Sequence, residues 1–345
     1  MRPLIRACCL LLLLASGASA VETISDIAYD SPGSDSPELD LHFPSMGLLP
    51  GTPTILFLHG GAWISGDKTD DNVLHHILAD AGYAVVSGNY TLATPEAAAY
   101  PQAVHDVKAI VRWIRTEGQA WNLSSTIIAC GPSVGGYLSE LLATTENVNV
   151  FEPLTPPPGG YRIHAGIPFW GLSDLEQQAR DMGSSGPLAW FLGAHYNEQT
   201  APLYLEASPL TWVDSSDPPQ HLVHGLLDPY HPWQQTQFLH DALTNAGVPG
   251  TVEYFDAGHG YDEYGSHAIA AAMMLQRIPD LLALGRTADL DGNGIVNNDD
   301  LLWMLDAWSD CPSLPVDCPA DLDGNGEVDV DDLLEVLQMY GNPGA

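Results

Sequence analysis

Cys130-Gly131-Pro132-Ser133-Val134-Gly135-Gly136 carries the spacing G-x-S-x-G, which a chain holding 33 glycines can meet by chance. Its flanks decide the reading. The apolar run from Ser125 to Cys130 leads into it and reads as a strand, and Gly135 to Thr145 follows with helical periodicity. Strand, tight turn and helix in that order lift a serine hydroxyl above a sheet, with Gly131 and Gly135 letting the two backbones approach. Outward from this turn the same alternation continues. Thr54–Gly60, Tyr83–Tyr90, Ile163–Gly171, Gln220–Gly225 and Thr251–Asp256 read as strands buried on both faces. Tyr100–Gly118 places Val104, Val107, Ile110, Val111 and Ile114 on one helical face. The pattern predicts an α/β fold with a mostly parallel, doubly wound sheet. Two stretches rich in Pro, Gly and aromatics, 152–160 and 183–209, interrupt it and are expected to be loops over the edge where substrate enters.

The 345 residues, 45% hydrophobic, allow one large domain and a small one. Ten Lys and Arg stand against forty-four Asp and Glu, a formal net charge of −34, which disfavours nucleic acid and anionic lipid as partners and leaves neutral substrates and cations. The acids are concentrated: Asp289 to Glu335 holds fourteen of them, and no Lys or Arg follows Arg286. At the other end, Arg2 and Arg6, the apolar run Cys8–Ala15 and Ala18-Ser19-Ala20 describe a secretory signal peptide over 1–20. The run is too short for a membrane span of about twenty residues, so the chain is expected to be secreted. In that oxidising setting Cys311 and Cys318, which bracket a short Pro-containing loop, are expected to pair. Cys130 reads as a buried small hydrophobe.

A serine at its ordinary pKa needs a base and an orienting carboxylate. Asp228 lies just beyond the strand Gln220–Gly225 and His259 just beyond the last strand, so both fall on the rim that carries Ser133. His224 and His231 flank Asp228 at a strand end and a Pro-containing turn, and Asp256 and Asp262 lie near His259 as local turn formers. Upstream, His59-Gly60-Gly61-Ala62-Trp63 follows a strand. Its glycines let backbone N–H groups turn inward, so Gly61, Ala62 and Val134 are the candidate oxyanion donors, with His59 structural. His75-His76 and the other histidines lack zinc-ligand spacing, and no cofactor is expected for this chemistry.

Together with Ile64–Lys68 and the GPSVGGYL turn, these residues resemble the α/β-hydrolase fold, and within it the esterases with an HGG oxyanion motif grouped with feruloyl and acetylxylan esterases. The likeness covers roughly Ser45 to Leu282 and implies hydrolysis of carboxylic esters through an acyl-enzyme. It departs at Pro132, Val134 and His231, where polar, alanine and aliphatic residues are common.

After Arg286 the sequence repeats. Ala288 and Ala320 each open an Ala-Asp-Leu-Asp-Gly-Asn-Gly loop followed by a helical apolar stretch. Asp289, Asp291, Asn293, Ile295 and Asp300, and Asp321, Asp323, Asn325, Glu327 and Asp332, fit positions 1, 3, 5, 7 and 12 of a calcium loop, with the carbonyl serving at position 7 and Gly294 and Gly326 at the bend. The pair resembles a type I dockerin. That implies calcium in a small all-α module, docking on a cohesin-like scaffold or cell surface, and by association a polysaccharide ester as substrate. The expected organisation is a catalytic domain over 21–284, a linker over 285–288 and the module over 289–345. An arylformamidase-like amidase and a catalytically inactive binding protein are the alternatives.

Overall fold

A computed structural model describes residues 21–35, 37–146, 148–151, 155–285, 288, 290, 296–312, 316–322 and 326–341, the side chains of 149 and 310 excepted. The expected signal peptide lies outside the described residues. Eight strands form the main sheet: β1 Val21–Ala28, β2 Glu38–Pro44, β3 Thr54–Leu58, β4 Ala84–Gly88, β5 Ile127–Pro132, β6 Ala165–Phe169, β7 Gln220–Gly225 and β8 Gly250–Phe255. Their order is β1-β2-β4-β3-β5-β6-β7-β8. β2 runs antiparallel to β1 and β4, and the other pairings are parallel. The helices of this domain are α1 Asn72–Asp80, α2 Gln102–Thr116, α3 Val134–Thr144, α4 Leu175–Met182, α5 Pro187–Leu192, α6 Ala201–Glu206, α7 Gln234–Ala246, α8 Tyr261–Tyr264 and α9 His267–Leu284.

The sheet is apolar on both faces because helices cover both. Along β3, Leu56 and Leu58 join the core beneath α2 and α3, whereas Ile55 and Phe57 join the one beneath α1 and α9. Among the described residues no helix is long and apolar enough to cross a membrane. Three expectations are corrected. β8 is an edge strand and only half-buried along most of its length, since among the described residues no strand pairs beyond it. The stretch 183–209 is not simply loop: it contains α5 and α6, which bury Leu188, Phe191, Leu192 and Tyr204 in the core. Finally, β1 and β2 precede the first expected strand, and their antiparallel ribbon extends the sheet.

The C-terminal module has its own small core, which contains Ala288, Val296, Met304, Ala320, Val328 and Val336. Ala288, expected at the end of the linker, therefore already packs in the module. Helices α10 Asn298–Asp306 and α11 Val330–Met339 are joined by a short antiparallel pair, β9 Ser309–Asp310 with β10 Glu327–Val328, so the module is not all-α. Cys311 and Cys318 are bonded, with Cα atoms 5.8 Å apart. The loop they close meets the main domain: the Asp317 N–H donates to the Gly51 carbonyl at 3.2 Å. A cleft of about 170 Å³ lies between Tyr83, Pro279 and Leu282 on one side and the disulfide loop on the other.

Candidate active site

Ser133 stands between β5 and α3 with φ 57° and ψ −119°, a backbone conformation that costs a non-glycine residue free energy and persists only where its surroundings impose it. Here glycines impose it. A Cβ on Gly131 would lie 2.0 Å from the Leu58 carbonyl oxygen, and one on Gly135 would lie 1.8 Å from the same atom. Only bare backbone lets α3 start that close to β3. The Ser133 N–H donates to the Phe169 carbonyl at 2.7 Å, tying the turn to the end of β6.

Asp228 and His259 meet. The His259 Nδ1–H donates to Asp228 Oδ2 at 2.6 Å, and the Asp228 side chain is fully enclosed. Asp228 Oδ1 accepts the backbone N–H groups of Tyr230 at 2.8 Å and His231 at 2.9 Å. His224 Nε2 lies 3.5 Å from Oδ2 and donates to the His231 carbonyl at 3.0 Å, so its Nδ1 is left to accept the Thr236 hydroxyl at 2.7 Å. Burial alone would raise the Asp228 carboxyl, but hydrogen bonds from His224, His259 and the His231 N–H, with the charge of His259, hold it well below the usual carboxylate range. His231 donates through Nδ1 to the Trp170 carbonyl at 2.7 Å. Burial, then the charge of His259, lowers its pKa to about 3, so it stays neutral.

Trp170 links the two halves of the site. It follows Phe169, to which Ser133 is bonded, and its ring lies 5.8 Å from that of His259. Ser133 and His259 thus share one rim, although no hydrogen bond joins the Ser133 hydroxyl to His259 among the described residues. Such bonds are often long before substrate arrives. Asp256 and Asp262 are exposed and take no part. Sequence reasoning noticed His224 and His231 but not their task, which depends on the turn folding back over Asp228.

The loop after β3 faces the same turn, since a Cβ on Gly60 would lie 3.5 Å from the Ser133 Cβ. Gly61, Ala62 and Trp63 have φ values of 117°, 53° and 62° in succession. Trp63 anchors this curl, buried and stacked on Phe191 at 4.9 Å. Among the described residues the N–H groups of Gly61, Ala62 and Val134 have no protein acceptor. His59 is buried, stacked on Tyr90 at 4.3 Å and bonded to its neighbour's carbonyl. Cys130 is buried, and burial pushes its thiol up.

Of the expected calcium ligands, Asp289, Asp291, Asn293, Ile295, Asp323 and Asn325 lie outside the described residues. The described ones behave alike in both repeats. Asp300 accepts the N–H groups of Leu290 and Asn297, each at 2.7 Å, and Asp332 those of Leu322 at 2.6 Å and Asp329 at 2.8 Å. Asp321 accepts the Gly326 N–H at 3.1 Å, and Gly326 has the positive φ, 93°, of the expected bend. Glu327 opens β10.

A mostly parallel sheet with a serine on the strained turn after its central strand, and a histidine and aspartate beyond later strands, defines an α/β-hydrolase. Within that class the BD-FAE family model matches residues 39–243, and the chain belongs to this esterase family. It is 29% identical over 248 residues to the probable carboxylic ester hydrolase LipM of Mycobacterium tuberculosis, covering 70% of this chain and 57% of LipM. It is 28% identical over 273 residues to the esterase LipQ of the same organism, covering 75% and 62%. The chain thus spans about three fifths of these relatives. A solved truncated carbohydrate esterase from gut microbiota shares the fold, with a TM-score of 0.66, 23% identity and coverage of 76% of this chain and 98% of that one.

Proposed function

We propose that the protein is a secreted serine esterase that removes acetyl or feruloyl groups from polysaccharide hydroxyls, with a calcium-loaded, dockerin-like module for attachment. The observation that carries the esterase reading is the 2.6 Å bond from His259 to Asp228 on the rim that holds Ser133 at positive φ. With Nδ1–H committed to Asp228, the His259 Nε2 has a lone pair for the Ser133 proton. Ser133 Oγ attacks the ester carbonyl, and the oxyanion is received by the N–H groups of Gly61, Ala62 and Val134, each worth about 3 kcal/mol. His259 then protonates the departing alcohol, and water, activated by the same imidazole, releases the acyl group. LipM and LipQ are named as a probable carboxylic ester hydrolase and an esterase, which supports ester hydrolysis as the reaction.

The module fits a hard cation. Asp300, Asp321 and Asp332 are buried carboxylates in a stretch whose sequence holds no Lys or Arg. Asp289, Asp291, Asn293, Asp300 and the Ile295 carbonyl would hold one ion, and Asp321, Asp323, Asn325, Asp332 and the Glu327 carbonyl the other. Leu302, Trp303 and Leu305 on α10, with Leu334 and Leu337 on α11, are exposed, which supports a docking role for a cohesin-like partner.

The test is release of acetate and ferulate from acylated xylan, and of nitrophenol from a short-chain ester, by wild type and Ser133→Ala. The substitution is expected to cost at least about a thousandfold, on the order of 4 kcal/mol, because the three residues act as a unit. Near-normal turnover by Ser133→Ala sinks the mechanism. Turnover of the small ester alone removes the polysaccharide, and hydrolysis of an N-formyl amide without ester turnover substitutes the amidase. A wild-type protein that resists fluorophosphonate labelling would be a binding protein.

A further inference from the structure

In the proposed reaction His259 hands its proton to the departing alcohol, so an exposed side chain beside its ring is placed to meet the alcohol half of the ester. Of the three rings beside His259, those of Trp170, His231 and Tyr230, the first two are buried and Tyr230 is exposed. Its ring meets the His259 ring edge-on, with centroids 5.4 Å apart and planes at 79°. It is 63% exposed, so an aromatic face stands open to solvent beside His259. Its backbone is pinned on both sides: the N–H donates to Asp228 Oδ1 at 2.8 Å, and the carbonyl accepts Gln178 Nε2 at 2.9 Å from α4. The mounting is rigid while the ring is left uncovered. Leu226 and Leu227, 41% and 66% exposed, continue the apolar edge along the same loop.

We propose that Tyr230 is the platform for the sugar ring carrying the departing hydroxyl, an inference that rests on the esterase reading above. A pyranose presents an apolar C–H face that stacks on an aromatic ring, and the exposed phenol can bond to its hydroxyls. Preorganised stacking costs little ordering entropy because the backbone is already fixed. A small aliphatic alcohol gains nothing from such a surface, so the ring sets specificity for the alcohol.

The test compares two acetate esters with the same acyl group, an acetylated methyl xyloside and ethyl acetate, in wild type, Tyr230→Ala and Tyr230→Phe. Wild type is expected to prefer the xyloside in kcat/KM. Tyr230→Ala is expected to cut that preference about tenfold, through KM for the xyloside, and Tyr230→Phe to keep it within about twofold. Equal loss on both esters in Tyr230→Ala would make the ring a mere support for His259 and overturn the proposal. So would a wild type without preference, or a preference that survives Tyr230→Ala. Ser133→Ala decides the parent reading separately: residual turnover fails the mechanism, whereas the Tyr230 variants bear only on the ratio.

Discussion

Asp228→Asn is the sharpest probe of the site, because the two oxygens of Asp228 are both acceptors and both occupied. Asn supplies one acceptor and one donor, so its NH2 must face either the Oδ1 partners or the Oδ2 partners. On the Oδ1 side it would confront two backbone N–H groups, those of Tyr230 and His231, now 2.8 and 2.9 Å from an acceptor. Leaving the half-buried His231 N–H unpaired costs about 1–3 kcal/mol, and the more exposed Tyr230 N–H adds a smaller amount. On the Oδ2 side it can donate to His259 Nδ1, provided that imidazole moves its proton to Nε2, and His224 keeps its bond to the His231 carbonyl. The second arrangement wins by roughly 2 kcal/mol or more, a population ratio of about thirty or higher. It places a proton on the atom that, in the proposed mechanism, receives one from Ser133. The expected loss in kcat/KM on a short-chain ester is on the order of ten-thousandfold, about 5.5 kcal/mol, with the fold retained in a thermal melt. A folded variant within tenfold of wild type would refute the argument.

Two further perturbations test the frame and the module. Burial, then the charge of His76, lowers the His42 pKa from 6.5 to about 4, so the folded protein binds fewer protons there than the unfolded chain between those values. Its contribution is therefore complete above pH 6.5 and is lost as the pH falls towards 4; His42→Asn should show a flatter decline in melting temperature over that window, and parallel profiles would contradict this. Calcium at a hundredfold excess over its Kd should add about 2.7 kcal/mol to the module's stability. Chelation should then open residues beyond 285 to limited proteolysis while ester turnover per mole changes less than about twofold, since the metal's binding free energy is the module's folding free energy. An unchanged digestion pattern would remove the calcium assignment.

The parallel core of the sheet was readable because each strand is a short apolar run covered on both faces, and five of the six expected strands match buried strands of the main sheet. β1 and β2 were missed because an antiparallel ribbon at the sheet's edge needs no such run. The segment 183–209 misled because its Pro and Gly residues punctuate short helices as well as loops: Gly186 and Gly193 bracket α5, with Pro187 at its first position. Ser133, Asp228 and His259 could be placed on one rim from strand ends alone. The parts of His224 and His231 could not, since a one-turn fold-back from Asp228 to His231, rather than any local pattern, brings the backbone N–H groups of Tyr230 and His231 onto the Asp228 carboxylate and the His231 carbonyl onto His224. Tyr230 was invisible for a similar reason: exposure beside His259 belongs to the folded loop.

The disulfide loop touches the catalytic domain at Gly51, just before β3, and borders Tyr83, just before β4, and Leu282 near the end of α9. Those are the amino ends of the parallel strands, whereas Ser133, Asp228 and His259 stand beyond their carboxyl ends. A five-residue strand separates the two poles by about 16 Å. A macromolecule gripped by the module near this loop would therefore hold the hydrolase from behind, leaving the rim that carries Ser133 turned away from the anchor.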